Sequence, residues 1–172
     1  MGRRVDLHVH LAGIQGDGSG CFVSDRMRRT VTFRVLMRLM GADMRLPAQA
    51  NEAYVQRLAD LLASSSELDY ACLFAMDVVY DAQGDLVPTE SHLYVPNSYV
   101  FEASRRSPHL LPVISVNPQR RDALAELERW GDLAVALKWL APLQKFDPSE
   151  ARFEPFYQKL AELGLPVIAH TG

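Results

Sequence analysis

The chain has 172 residues, of which 48% are hydrophobic and 23% charged, and its formal net charge is −3. These values suit one globular domain and argue against disorder, low-complexity scaffolds and a basic surface for nucleic acid. Every apolar run is too short to span a membrane, and two cysteines cannot form a disulfide framework. We therefore expect free thiols in a reducing cytoplasm.

Short apolar runs alternate with longer helical patterns along the chain. The short runs predict strands over 5–10, 70–79, 110–116, 133–138 and 165–169. The longer patterns predict helices over 25–40, 51–65, 97–106, 119–130 and 147–163. In the first helix the apolar stripe expected to face the core is Val31, Val35, Leu36, Leu39 and Met40. Strands separated by helices favour parallel βαβ units, so the predicted fold class is α/β.

The first strand carries the strongest chemical signal. Alternation along a strand puts Asp6, His8 and His10 on one face. Two imidazoles at positions i and i+2 can converge on one divalent cation, and neutral imidazole nitrogen suits Zn²⁺. Five histidines would give such a pair by chance only about 0.1 times. We predict that His8 and His10 are metal ligands. We also predict that Asp6, without binding the metal itself, holds one of these histidines in place.

The fourth strand places a lysine at the corresponding end. Ala136 and Lys138 share the face that a barrel wall would turn inward, while Leu137 lies on the opposite face. A buried lysine without a partner is costly. It could therefore lose its charge, pair with an acid or react with CO₂ to give a metal-bridging carbamate. A lysine whose ammonium reaches solvent fits the spacing equally well.

Three further residues follow the ends of predicted strands. His170 comes directly after the fifth strand, at the level of His10 and Lys138, and is a candidate third ligand. Asp77 and Asn117 end the second and third strands and are candidates for substrate binding. Solvated strand ends or turn starters are the more ordinary interpretation of both.

Three segments, 5–11, 136–139 and 166–172, resemble the first, fourth and fifth strand motifs of the amidohydrolase superfamily. The likeness is strongest to its amidohydrolase-related branch, which holds metal-dependent hydrolases and some decarboxylases. It implies a (β/α)₈ barrel with one or two divalent ions, with zinc the expected metal. His8, His10 and His170 would then be ligands. Lys138 would be the fourth-strand lysine, which is carbamylated and bridges two metals in dinuclear members.

The family also uses a histidine after the sixth strand and an aspartate after the eighth, and only five strands are predicted here. We therefore expect residues 1–172 to be the N-terminal part of a single barrel domain, with about five of eight βα units. Unpaired sheet edges would favour association, so a homo-oligomer is among the expected states.

The leading functional hypothesis is a metal-dependent hydrolase that acts on a small molecule with an amide, ester or lactone bond. A decarboxylase of the same branch and a catalytically inactive fragment are the alternatives. A phosphoesterase resembling histidinol phosphatases also begins with an Asp-x-His-x-His strand, but Lys138 and the C-terminal His-Thr-Gly sequence disfavour it. No nucleic-acid or membrane partner is expected.

Overall fold

Five parallel strands form the main sheet of the computed structural model, which describes residues 2–170. In spatial order, which is also chain order, they are β1 (Val5–His10), β3 (Tyr70–Phe74), β5 (Leu110–Ile114), β6 (Ala136–Trp139) and β7 (Val167–Ala169). A separate antiparallel ribbon joins β2 (Phe22–Val23) to β4 (Leu93–Tyr94). Thr171 and Gly172, which end the third family-like segment, lie outside the described residues.

Helices connect each strand of the sheet to the next. They are α1 (Asp25–Arg28), α2 (Val31–Leu39), α3 (Pro47–Ala63), α4 (Asn97–Ser104), α5 (Ala123–Trp130), α6 (Ala141–Gln144) and α7 (Glu154–Glu162). Short 3₁₀ turns, Gly131–Leu133 and Ala151–Phe153, precede β6 and α7. The result is a curled part of a (β/α)₈ barrel with five strands, and it confirms the predicted fold class.

Apolar side chains fill both faces of the sheet. One cluster packs β1 and β3 against α2, α3 and α4, and a second packs β5 and β6 against α5 and α7. A third cluster is built from strand residues alone and marks the concave inner face: Cys72, Phe74, Val113 and Ala136. No helix in the described part of the chain is both long enough and apolar enough to cross a membrane.

The predicted helix over 25–40 is wrong as a single element, because the chain forms two helices there. Ser24 caps α1 by accepting a hydrogen bond from the backbone N–H of Met27. Thr30 then ends the first turn and caps α2: its Oγ1 donates to Met27 O at 2.7 Å and accepts from Phe33 N at 3.3 Å. A side-chain cap at Thr30 thus competes with continuation of the helix.

The stripe predicted to face the core on this helix is also largely wrong. Val31 is 75% exposed and Leu39 is 70% exposed, while Met40, which belongs to the predicted stripe, is buried. Phe33 and Met37, outside that stripe, are buried with it. These buried residues form a second stripe at helical spacing. The larger Phe and Met side chains remove more apolar area from water, which explains why the helix turns this face inward.

Other predicted boundaries shift for local reasons. The helix predicted from residue 51 begins at Pro47, because proline at the first helical position is pre-set for the helix. The strand predicted over 70–79 ends at Phe74, and Met76 pairs instead with Val95. The remaining observed starts are Ala123, Ala136, Glu154 and Val167, each later than predicted. Helix α6 has only four residues and was not predicted.

The cap at Thr30 gives a test of the break between α1 and α2. We expect Thr30→Ala to lower the free energy of unfolding by about 1 kcal/mol, since the side-chain cap of α2 is lost. The measurement is urea unfolding followed by circular dichroism. Thr32→Ala, at an exposed position inside the same helix, is the control and should change stability by less than about 0.5 kcal/mol. Equal losses in the two variants would contradict the capping role.

Candidate metal centre

Two histidine side chains converge at the carboxyl end of β1. The distance between His8 Nε2 and His10 Nε2 is 3.0 Å. Two nitrogen ligands, each about 2.0–2.1 Å from one tetrahedral Zn²⁺, lie about 3.3 Å apart. The separation of the two imidazole nitrogens is therefore close to what a single cation needs, and both side chains are open to solvent on the concave face.

Asp6 takes a different position from the one that strict alternation predicts. The pairing of β1 with β3 shifts in register between Asp6 and Val9. Asp6 Oδ1 accepts a hydrogen bond from the backbone N–H of His8 at 2.9 Å. The carboxylate thus stabilises the irregular backbone before the histidine pair, and it bonds a peptide group where contact with an imidazole was predicted.

Phe74, at the end of β3, lies at the centre of the candidate site and was not singled out from the sequence. Its ring centre lies 5.2 Å from that of His8 and 5.7 Å from that of His10. Lys138 Nζ lies 5.0 Å from the same ring centre. Alternation in the second strand puts Phe74 on the inner face with Cys72, and this was the signal that could have identified it.

Lys138 projects inward from β6, and the residue as a whole is 1% exposed. Burial lowers the pKa of its amine, because the surrounding protein disfavours the charged form. The lysine ion pairs within residues 2–170 belong to Lys145 and Lys159. Lys138 therefore faces the imidazoles without a carboxylate at ion-pair distance in the described structure.

His170 follows β7, and its ring lies farther from the ring of His8 than the ring of His10 does. Its backbone N–H donates to Trp139 O at 3.0 Å, and its ring centre lies 6.4 Å from that of His8. Within residues 2–170, no three His, Cys, Asp or Glu side chains are close enough together to hold a metal ion. The structure thus brings His8 and His10 together, while His170 and Lys138 as ligands stay predictions.

The charges around His10 favour its neutral form. Desolvation by the surrounding protein lowers the pKa of His10, and the neighbouring positive charges of His8, Lys138 and His170 lower it further. A neutral imidazole is the form that binds metals.

Asp77 and Asn117, the candidates for substrate binding, lie in a buried polar network. They are 3% and 0% exposed. Asp77 Oδ2 accepts hydrogen bonds from Asn117 N at 2.8 Å and from Arg120 at 3.2 Å. Asn117 Nδ2 donates to Val78 O and to Gln144 O, each at 3.0 Å. Because these groups bond within the protein, neither residue presents a free polar atom to a substrate in this structure.

The buried pair formed by Asp77 and Arg120 predicts a pH-dependent stability. Burial raises the pKa of Asp77, and Arg120 opposes that increase. In Arg120→Met no guanidinium counteracts the effect of burial on the pKa of Asp77. That pKa therefore rises further, and ionised Asp77 becomes more costly in the folded state. We expect a loss of about 3–5 kcal/mol at pH 7. The loss should shrink as the pH falls, because protonation of folded Asp77 removes the unpaired buried charge.

The measurement is urea unfolding at several pH values. Arg121→Met is the control, since exposed Arg121 pairs with exposed Asp85 and should contribute less than about 1 kcal/mol. A loss in Arg120→Met that does not depend on pH would contradict the assignment to Asp77.

A solved structure with a related fold is the crystal structure of a probable 2-pyrone-4,6-dicarboxylic acid hydrolase from Acinetobacter baumannii with citric acid bound. The TM-score is 0.58 and the sequence identity is 16%, over 98% of this chain and 49% of that chain. The likeness therefore concerns the fold, and the chain spans about half the length of that structure. No curated protein matches the chain.

The family comparison covers the strands that carry the four candidate ligands. The model of the family described as amidohydrolase matches residues 5–172, which include β1, β6 and β7. The chain belongs to the amidohydrolase family.

Proposed function

We propose that this chain carries the metal-binding part of a hydrolase that cleaves an amide, ester or lactone bond in a small molecule. The observation that carries the proposal is the 3.0 Å approach of His8 Nε2 and His10 Nε2 at the carboxyl end of β1. In barrel enzymes this end of the strands is where active sites form. Family membership supports a hydrolase-type activity.

The two close imidazoles, His8 and His10, fit part of the ligand set of a divalent cation such as Zn²⁺. Imidazole nitrogen is a preferred zinc donor, and the two nitrogens lie near the separation that one ion requires. His8 and His10 would hold the ion, and His170 and Lys138 are the further proposed ligands. When bound, the metal would polarise a substrate carbonyl and lower the pKa of a water molecule.

Other side chains of the protein would orient and shield the residues that hold the metal. Phe74 packs against both imidazoles and beneath the Lys138 amine, so it orients the three side chains and keeps water from one side of them. The finer proposal for Lys138 is that its neutral amine adds to CO₂ and releases a proton. The resulting carbamate would bridge two ions, as the family resemblance implies.

Carboxylated small molecules are the proposed substrates. A divalent metal held at this rim would give the inner face a positive charge, and no acid lies at ion-pair distance from Lys138 in residues 2–170, which favours an anionic group. The structurally similar protein is described as a probable hydrolase of a dicarboxylic acid and was crystallised with citric acid.

We place the reaction in the cytoplasm, where the free and buried thiols of Cys21 and Cys72 would stay reduced.

The histidine pair is tested by metal content. We expect the chain to retain zinc after dialysis against a dilute zinc buffer, and the His8→Ala, His10→Ala double variant to lose it, because both close nitrogen donors are gone. Elemental analysis gives the stoichiometry. The His92→Ala, His109→Ala double variant is the matched control, with the same number of histidines removed elsewhere. Equal metal content in the two double variants would refute the ligand assignment.

The reaction is tested by product analysis on the full protein as the cell makes it. We expect carboxylated lactones, esters or amides to yield ring-opened or cleaved acids with no release of CO₂. Release of CO₂ would instead identify a decarboxylase of the same family.

For the 172-residue chain alone we propose weak metal binding without turnover, since five strands cannot close the barrel that would shield the site from water.

A further inference from the structure

The backbone at the end of β6 is held on both sides of Trp139 by two buried polar side chains. Ser115 Oγ donates a hydrogen bond to Lys138 O at 2.9 Å. Gln144 Oε1 accepts from the backbone N–H of Leu140 at 2.9 Å, and Gln144 Nε2 donates to Ser115 Oγ at 3.2 Å. We call Ser115 and Gln144 the β6 clamp.

The β6 clamp is itself fixed by the buried network beneath the strand ends. Asn117 Nδ2 donates to Gln144 O at 3.0 Å, which ties helix α6 to the end of β5. Asn97 Oδ1 accepts from Ser115 N at 2.9 Å. Gln144 is 1% exposed. Each clamp residue therefore has few alternative positions.

The clamp adjoins the backbone of two candidate ligands. One is Lys138, whose carbonyl is bonded directly by Ser115. The other is His170, whose N–H bonds the carbonyl of Trp139, between the two clamped positions. His8 and His10 lie on β1, three places from β6 in the strand order of the sheet.

We propose that Gln144, acting with Ser115, is a positioning residue that fixes Lys138 and His170 relative to the histidine pair. This inference rests on the proposed function for its consequence in metal binding. Glutamine suits the task because one end of its amide accepts from Leu140 N while the other donates to Ser115 Oγ. Glutamate could accept but could not donate, and methionine could fill the space but could form neither bond.

The position of Lys138 can be tested without metal, because the sequence contains only three lysines: Lys138, Lys145 and Lys159. An amine-acylating reagent followed by peptide mass spectrometry gives the labelling rate of each. We expect Gln144→Met to speed labelling of Lys138 about tenfold relative to Lys159, since lost hydrogen bonds favour local opening of β6. Ser115→Ala, a smaller change, should have the same selective effect.

Two control variants separate positioning from general stability. Gln119→Met removes another partly buried glutamine, which donates to Tyr80 O at 3.0 Å and whose side chain, within residues 2–170, forms no hydrogen bond with β6. It should leave Lys138 labelling unchanged. Leu160→Ala opens a cavity in the core beside α7. With urea added so that the unfolded fractions of all variants match, faster labelling confined to the clamp variants supports the proposal. Equal acceleration in Leu160→Ala, or no acceleration in the clamp variants, overturns it.

A second readout connects the clamp to the metal. We expect Gln144→Met to weaken Co²⁺ binding about tenfold and to change the visible absorption of the bound Co²⁺, while Gln119→Met changes neither. Unaltered affinity and absorption in Gln144→Met would overturn the role of the clamp in the metal site. If the parent chain binds no Co²⁺, the proposed metal site fails, and the labelling experiment alone decides whether the clamp positions Lys138.

Discussion

Parallel pairing of the five main strands is the constraint on which the candidate site depends. Because β1, β3, β5, β6 and β7 run in one direction, their carboxyl ends meet at one rim of the sheet. The alternation of side chains then turns residues from three separate parts of the sequence towards the same concave face. His8 and His10 reach this face from β1, Phe74 from β3 and Lys138 from β6.

Such a rim is difficult to stabilise, because strands and loops end there with unpaired backbone groups. The protein meets this demand with buried polar side chains. Asn117 donates to the carbonyls of Val78, after β3, and Gln144, in α6. The side chains of Ser115 and Gln144 form hydrogen bonds with backbone groups at the end of β6. Each of these bonds satisfies a group that would otherwise be desolvated without a partner. The same bonds fix the backbone from which the inward side chains project.

The parallel α/β class could be predicted from strands that alternate with helices. The inward histidines and the inward lysine could be predicted from period-two patterns, because burial on one face imposes that period. The register shift after Asp6 could not, since it depends on how β1 pairs with β3. The break at Thr30 results from the hydrogen bond that its hydroxyl donates to Met27 O. The spacing of apolar residues carries no information about such a bond. Gln144 lies in a helix of four residues, too short for any periodic signal.

Two separate sets of hydrogen bonds hold the backbone on either side of the candidate site. On one side, helix α3 supports β1, because Tyr54 donates to His10 O at 3.1 Å. On the other side, the β6 clamp supports Lys138. The ring of Phe74 lies between them and contacts both groups. A change in the clamp would therefore move the lysine while leaving the histidine pair in place. If these side chains hold a metal as proposed, they would have to stay within about 0.5 Å of their working positions, so both supports would be needed at once.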